Sequence, residues 1–379
     1  AYAYALLQGS CCSGLMHGNM QLICPEELAR NNDLIVLDLR NQADFIARHL
    51  RRSASIPIHE LDQRWYELPD KQGVPFIVLS EIEYVARKLS FFFRSRGWNV
   101  HGFVISAVTF WRRAEALGIV EKGPSYFTLY RPSSFVSECL NQIQSSLSSP
   151  LPTCLDIGCG SGRDAVFLAS NGFRVHAIDQ LESCLSRLKA LAERQGVSEL
   201  ITTSCRRLGE GCDAFEFPQF DAVMCSRFLV RSAFTWIKGR VKPEGYIMFC
   251  TFVERSTSSE SSGDTSDSEI STLSTGTVEN GVDGHVIGSE DFSVESSPDF
   301  VPFYLPWKDG TLVDLDTWIS RKTRKSKKQR FNKNNDYVLK FGELRTVFSE
   351  SEYEIIVDRI DTLKDGRLVH SFLARRSVS

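Results

Sequence analysis

Apolar residues recur along the chain in two alternating rhythms. Short β-rich runs occupy residues 33–39 (DLIVLDL), 75–79 (PFIVL), 153–157 (TCLDI), 173–178 (FRVHAI), 200–205, 220–225 and 246–252. Stretches with helical spacing lie between them. Residues 41–50 carry Phe45 and Ile46, and 83–96 are apolar at Val85, Leu89, Phe92 and Phe93. Residues 135–145 and 163–171 also read as helices. A longer helix places Leu181, Cys184, Leu185, Leu188, Leu191 and Ala192 on one face. Near the end, 342–349 reads as a helix, and 353–358 and 367–375 read as strands joined across Lys364-Asp365-Gly366. Strand–helix alternation predicts an α/β fold with parallel sheets covered on both faces. Two such units are expected, over 21–123 and over 153–253 with 336–379. Residues 1–20 read as a flexible N-terminus, 124–152 as a connector and 254–335 as an insertion.

A length of 379 residues agrees with two domains. The net charge of −3 argues against a basic nucleic-acid binder on average, yet it conceals a cancellation. Residues 254–299 hold eleven acids and one base, a local charge of −10. Residues 321–333, from Arg321 to Lys333, hold eight bases and no acid. The acidic block is rich in Ser, Thr and Gly and is expected to be disordered. Thr257, Ser261 and Ser266 each precede an acid by three residues, a pattern for an acid-directed kinase. The aromatic run 300–319 is expected to fold over the substrate pocket as a lid. The basic run reads as a solvated loop, with RNA, phosphate or nuclear-import binding as the sharper alternative. No run approaches the ~20 apolar residues of a membrane span. The chain starts without a Met, which reads as truncation or processing. Eleven scattered cysteines without a C-x-x-C fit reduced thiols in a cytosolic-type compartment, and no metal-ligand set is read.

The strongest chemical signal is GCGSG at 158–162, between a strand and a helix. Glycines there let the backbone turn sharply and approach a ligand closely. No Gly-Lys-Ser/Thr follows, so a P-loop does not fit. The dinucleotide pattern needs Gly where Arg163 stands. Asp179 ends the next strand, where a carboxylate can accept both ribose hydroxyls of a nucleoside. His370 sits mid-strand and reads as a packed core residue, with a catalytic base as the alternative. Arg231, near the fourth-strand exit, reads either as a clamp for an anionic acceptor or as a surface residue.

Two resemblances follow from these residues. The run VLDLRNQADFIARHLRRSASIP, with Asp38, Arg40, Asp44, Phe45, His49 and Pro57, resembles the rhodanese family, as does the later VLS…RSRGW…FWRRA ending at Trp111. That family places a nucleophilic Cys where this chain has Ser80, followed by Glu81 and Glu83. A hydroxyl cannot form a persulfide, so an inactive packing or protein-binding module is implied. The segments LDIGCGSGRDAVFLASNGFRVHAID, FDAVMCSRFLV and VKPEGYIMFCTF, with GELRTVFSESEYEIIVD near the end, resemble class I S-adenosylmethionine-dependent methyltransferases, within them the tellurite-resistance-type branch.

The resemblance implies a Rossmann-like seven-stranded sheet with S-adenosylmethionine as cofactor. Asp156, Gly158, Cys159, Gly160 and Gly162 would surround its methionine part. Asp179 would hold the ribose, with Gln180 and Leu181 beside the adenine, and backbone at Leu208 would complete the adenine contact. Ser226 and Arg227, with Phe228, would line the methyl-transfer pocket as its catalytic residues. The implied acceptor is a small molecule, of thiol or metalloid type. The alternatives are a non-catalytic scaffold of two degenerate modules and, less favoured, an RNA methyltransferase or a sulfurtransferase.

Overall fold

The computed structural model describes residues 20–31, 33–71, 73–209, 211, 215–254, 303–307, 310–323, 338–363 and 366–378. The N-terminal segment, the acidic block with its three candidate phosphorylation sites, and the basic tract beyond Thr323 lie outside them.

The first unit comprises α1 (Pro25–Arg30), β1 (Ile35–Asp38), α2 (Gln42–Ala47), β2 (His49–Leu50), β3 (Ser53–Ser55), β4 (Phe76–Ser80), α3 (Glu83–Ser95), β5 (Val100–Ile105), α4 (Val108–Ala116) and β6 (Val120–Glu121). A four-stranded parallel sheet runs in the order β3-β1-β4-β5. All four residues of β1 and all five of β4 are buried, because helices cover both faces. The helix expected over 41–50 is shorter. Asn41 caps it by accepting the Asp44 N–H at 2.9 Å, and Arg48 turns extended so that His49 and Leu50 pair with Glu121 and Val120. Asp38 and Arg40 form a buried ion pair at 2.7 Å, and the guanidinium stacks 4.6 Å from the Trp111 ring centroid.

The second unit contains α5 (Ser134–Ser146), β7 (Thr153–Ile157), α6 (Arg163–Ser170), β8 (Arg174–Asp179), α7 (Glu182–Arg194), β9 (Ile201–Cys205), β10 (Phe220–Ser226), α8 (Phe234–Gly239) and β11 (Val241–Phe252). After the insertion, described below, come α10 (Glu343–Val347), β14 (Tyr353–Thr362) and β15 (Leu368–Arg376). Seven strands run in the order β14-β15-β11-β10-β7-β8-β9, with β15 antiparallel to both of its neighbours. One face packs on α8 and α10 through Phe249, Phe348 and Phe372. The other packs on α5 and α6. Phe135, Val136, Cys139, Leu140 and Ile143 of α5 are buried there, so this helix belongs to the second unit rather than to a connector.

The insertion contains a two-stranded hairpin, β12 (Tyr304–Pro306) and β13 (Leu312–Asp314), followed by α9 (Leu315–Thr323). This corrects the expected lid. Leu305, Val313, Leu315 and Trp318 are buried in the core of the first unit with Phe92 and Phe93 of α3. The apolar stripe of 303–319 finds a larger aromatic surface there than a polar cleft could offer.

The units meet through a charged seam. Glu67 accepts from Arg64 Nε at 2.8 Å, Arg64 Nη2 at 2.6 Å and Arg194 Nη2 of α7 at 2.6 Å. Arg163, the first residue of α6, donates to the Tyr66 carbonyl at 2.6 Å.

Candidate functional site

The order of the second sheet reverses between β7 and β10, the position at which α/β sheets place a ligand crevice outside the carboxyl ends of the strands. The loop after β7 and the residues ending β10 both face it. Gly158, Gly160 and Gly162 all have left-handed backbone, with φ of 71°, 54° and 79°. Their reasons differ. A Cβ on Gly158 would lie 2.4 Å from the Phe228 ring, and one on Gly162 would lie 2.3 Å from Leu188. A Cβ on Gly160 would meet no atom within 4 Å, so its Cα borders open space in the crevice.

Asp179 ends β8 and ties the loop together. One carboxylate oxygen accepts the Gly160 N–H at 2.9 Å and the other accepts the Leu181 N–H at 2.9 Å. Each oxygen keeps further lone-pair capacity for a ligand hydroxyl. Leu181 is 53% exposed although apolar, and Gln180 beside it is exposed. Leu208 is buried in the core, so only its backbone can face a ligand.

Asp156 is 2% exposed and its Oδ2 has no hydrogen-bond partner. Burial pushes its carboxyl well above the usual carboxylate range, and the nearby Asp164 and Asp179 charges push the same way. A buried, orphaned carboxyl facing two other acids suits a cationic partner. Burial, with Asp156 and Asp179, also pushes the Cys159 thiol far up, so it is a loop residue and not a thiolate nucleophile.

Ser226 and Arg227 close β10. Arg227 has left-handed backbone, φ 54°, held by its N–H donating to the Cys250 carbonyl at 2.8 Å. Its side chain is exposed at the crevice. The sequence reading missed Asp164 in the first turn of α6. Its carboxyl accepts the Ser133 N–H at 2.7 Å. Burial raises its pKa, opposed by the hydrogen bonds from Ser133 and Ser226 and by the charge of Arg227. Strand register then sets Ser226, Cys250 and Ser371 side by side in one row across β10, β11 and β15. The only sequence signal for Asp164 was an acid two residues beyond the Gly loop, which reads equally as a helix-dipole partner.

Two further candidates fall outside the crevice chemistry. Arg231 grips Glu343 through Nε at 2.5 Å and Nη2 at 2.8 Å and also donates to the Val338 carbonyl, so it fixes α10 instead of an acceptor. His370 is 2% exposed, with Nε2 2.6 Å from Asp358, as a packed residue. In the first unit, Ser80 ends β4 and its Oγ accepts the Ile82 N–H at 3.3 Å. Only Glu81 and Ile82 separate β4 from α3, too few for a ring of N–H groups around an anion. Tyr84 and Lys88 of α3 both engage Asp316 of α9, which covers this end.

Residues 154–245 match a family model described as a methyltransferase domain. The chain is 24% identical over 262 residues to the uncharacterized protein UNK4.09 of Schizosaccharomyces pombe, spanning 57% of this chain and 76% of that protein. Among solved structures, it is similar to the 1,6-didemethyltoxoflavin-N1-methyltransferase of Burkholderia thailandensis with bound S-adenosylhomocysteine. Identity is 13%, coverage is 65% of this chain and 79% of that one, and the TM-score is 0.35. For TehB of Haemophilus influenzae the values are 15%, 66% and 65%, and 0.38. No helix among the described residues is long and apolar enough to cross a membrane. The matched family model lies over the Gly loop, Asp179 and the β10 terminus, so residues 154–245 form a methyltransferase domain.

Proposed function

We propose that the protein methylates a small-molecule acceptor in the crevice between β7 and β10, within the tellurite-resistance-type branch. The observation that carries this reading is the pairing of Asp156 and Asp179. The first is a buried carboxyl with an orphaned oxygen, and the second ties the amides of Gly160 and Leu181 at the open part of the loop. S-adenosylmethionine, when bound, supplies an activated methyl group and a positive charge. Asp156 would take its ammonium, and the uncrowded backbone at Gly160 would let its chain lie close. Asp179 would accept the ribose hydroxyls, exposed Leu181 and Gln180 would flank the adenine, and the Leu208 backbone would complete that contact. Ser226 and Arg227 would orient the acceptor. Asp164, held by Ser133 and Ser226, would accept its proton where the acceptor arrives protonated.

The first unit is, in this reading, a rhodanese-like module without sulfur-transfer chemistry. Ser80 supplies no thiolate, and the two-residue step into α3 supplies no anion cradle. Its Asp38–Arg40–Trp111 stack is structural. The test is a screen with methyl-labelled cofactor over thiols, metalloid oxyanions, heterocyclic amines and RNA. Label transferred to one of the small molecules and lost in Asp164→Asn or Arg227→Ala supports the assignment. Label transferred only to RNA, or transfer indifferent to both substitutions, overturns it.

A further inference from the structure

Outside the methyltransferase crevice lies a second cavity of about 820 Å³, where the first unit, the inserted hairpin with α9, and α7 meet. Its size is that of a site for a ligand larger than a single ion. Its walls combine two chemistries. Trp65, Trp98 and Trp307 supply aromatic surface, with Trp65 and Trp98 set edge to face at a centroid distance of 5.2 Å. Lys71, Arg96 and Arg187 supply positive charge from three separate segments.

The charge there is not neutralised. The one carboxylate in the wall, Asp62, is engaged by Lys322 of α9. Lys71 lies 4.7 Å from the Trp98 ring centroid, and the Arg96 guanidinium donates to the Lys322 carbonyl. None of Lys71, Arg96 and Arg187 has an acidic partner among the described residues. Three unpaired cations gathered around one concavity repel one another unless an anion joins them. Trp307 is brought over the cavity by the insertion, where Lys322 and Arg321 stand 5.5 and 5.2 Å from its ring. Lys322 and Arg321 also begin the basic tract that the sequence analysis singled out.

We propose that this cavity binds a nucleotide, its base stacked on Trp307 at the cavity wall and its phosphate held by Lys71, Arg96 and Arg187. Stacking on indole tolerates any base, and guanidinium and ammonium groups pair with phosphate oxygens. The nucleotide comes either free or as the end of a single-stranded RNA, and the insertion forms one wall of its site. Its lining shares no residue with the glycine loop, Asp179 or the β10 terminus.

Calorimetry on the full chain, with S-adenosylhomocysteine saturating, tests it using four probes: adenosine 5′-monophosphate, adenosine, inorganic phosphate and a short single-stranded RNA. Saturable binding of the monophosphate or the RNA is expected, with adenosine and phosphate each weaker by about tenfold or more. Tighter RNA than monophosphate assigns the ligand to a chain end, and the reverse to a free nucleotide. Lys71 and Arg187 are exposed, so a Lys71→Ala/Arg187→Ala variant keeps its fold. It should lose about tenfold in affinity and show a flatter salt dependence, while Trp307→Ala should weaken both probes alike. These variants read the cavity directly, even if the crevice binds no cofactor. Absence of saturable binding, inorganic phosphate equal to the monophosphate, or affinity unchanged in both variants would overturn the proposal.

Discussion

The seam between the units rests on Glu67, and its removal is the most informative perturbation of the fold. The carboxylate is 9% exposed and accepts three N–H groups, two from Arg64 and one from Arg194. Glu67→Ala strands both guanidinium groups. A buried ion pair broken on one side costs about 3–5 kcal/mol. Two features reduce this figure. Arg64 keeps Glu60 at 2.8 Å, and Arg194 is 32% exposed, so water recovers part of its loss. The expected cost is therefore about 2–4 kcal/mol, a fall in melting temperature of roughly 4–16 °C for units of this size. Circular-dichroism melts of Glu67→Ala, Arg194→Ala and the double variant form a cycle. A coupling of about 1–3 kcal/mol is expected, because the two side chains share a bond across the seam. Glu67→Gln keeps an acceptor and should lose about half as much. A melting point within about 1 °C of the parent, or strictly additive single effects, would refute the claim that this seam joins the units.

The glycines of the loop should separate by role. Gly158→Ala and Gly162→Ala place a Cβ into Phe228 and Leu188, and should destabilise by about 2–4 kcal/mol in thermal melts. Gly160→Ala has space and should cost only about 1–2 kcal/mol from its positive φ, yet weaken S-adenosylhomocysteine strongly in calorimetry. Asp221 links the starts of β7, β10 and β11, accepting from Thr153 N and Oγ1 at 2.8 and 2.6 Å and from Lys242 at 2.9 Å. Burial raises its carboxyl, but the Thr153 and Lys242 contacts outweigh that and leave it below the usual range. A depressed folded-state pKa contributes stability that is present above about pH 4 and lost as pH falls through the folded value. Melts of Asp221→Asn and parent should therefore differ at pH 7 and converge toward pH 2–3; a constant gap would sink the assignment.

The elements were legible in the sequence where the physics is local. Residues 153–157 fold as the predicted strand because Pro152 and Gly158 bound an apolar run buried on both faces. The Gly loop and Asp179 were legible because a tight turn and a strand-end acid each leave their own residue types. Long-range choices were not. The strand expected over 246–252 starts earlier, at Val241, and β11 absorbs the turn-forming Pro243-Glu244-Gly245 as an irregularity, with Glu244 at φ 61°. The aromatic run 303–319 announced burial without saying against which surface. Arg231 and Glu343 lie 112 residues apart, and Asp164 meets Ser133 across 31, so neither pairing leaves a trace in spacing.

Everything in the crevice turns on the carboxylate that joins Gly160 to Leu181. Titration of the full chain with S-adenosylhomocysteine by calorimetry, parent beside Asp179→Ala, reads that claim directly. The account predicts saturable one-to-one binding by the parent and a loss of at least about tenfold in the variant, with both proteins melting cooperatively. No measurable heat with the folded parent, or equal affinity in the two proteins, would contradict it.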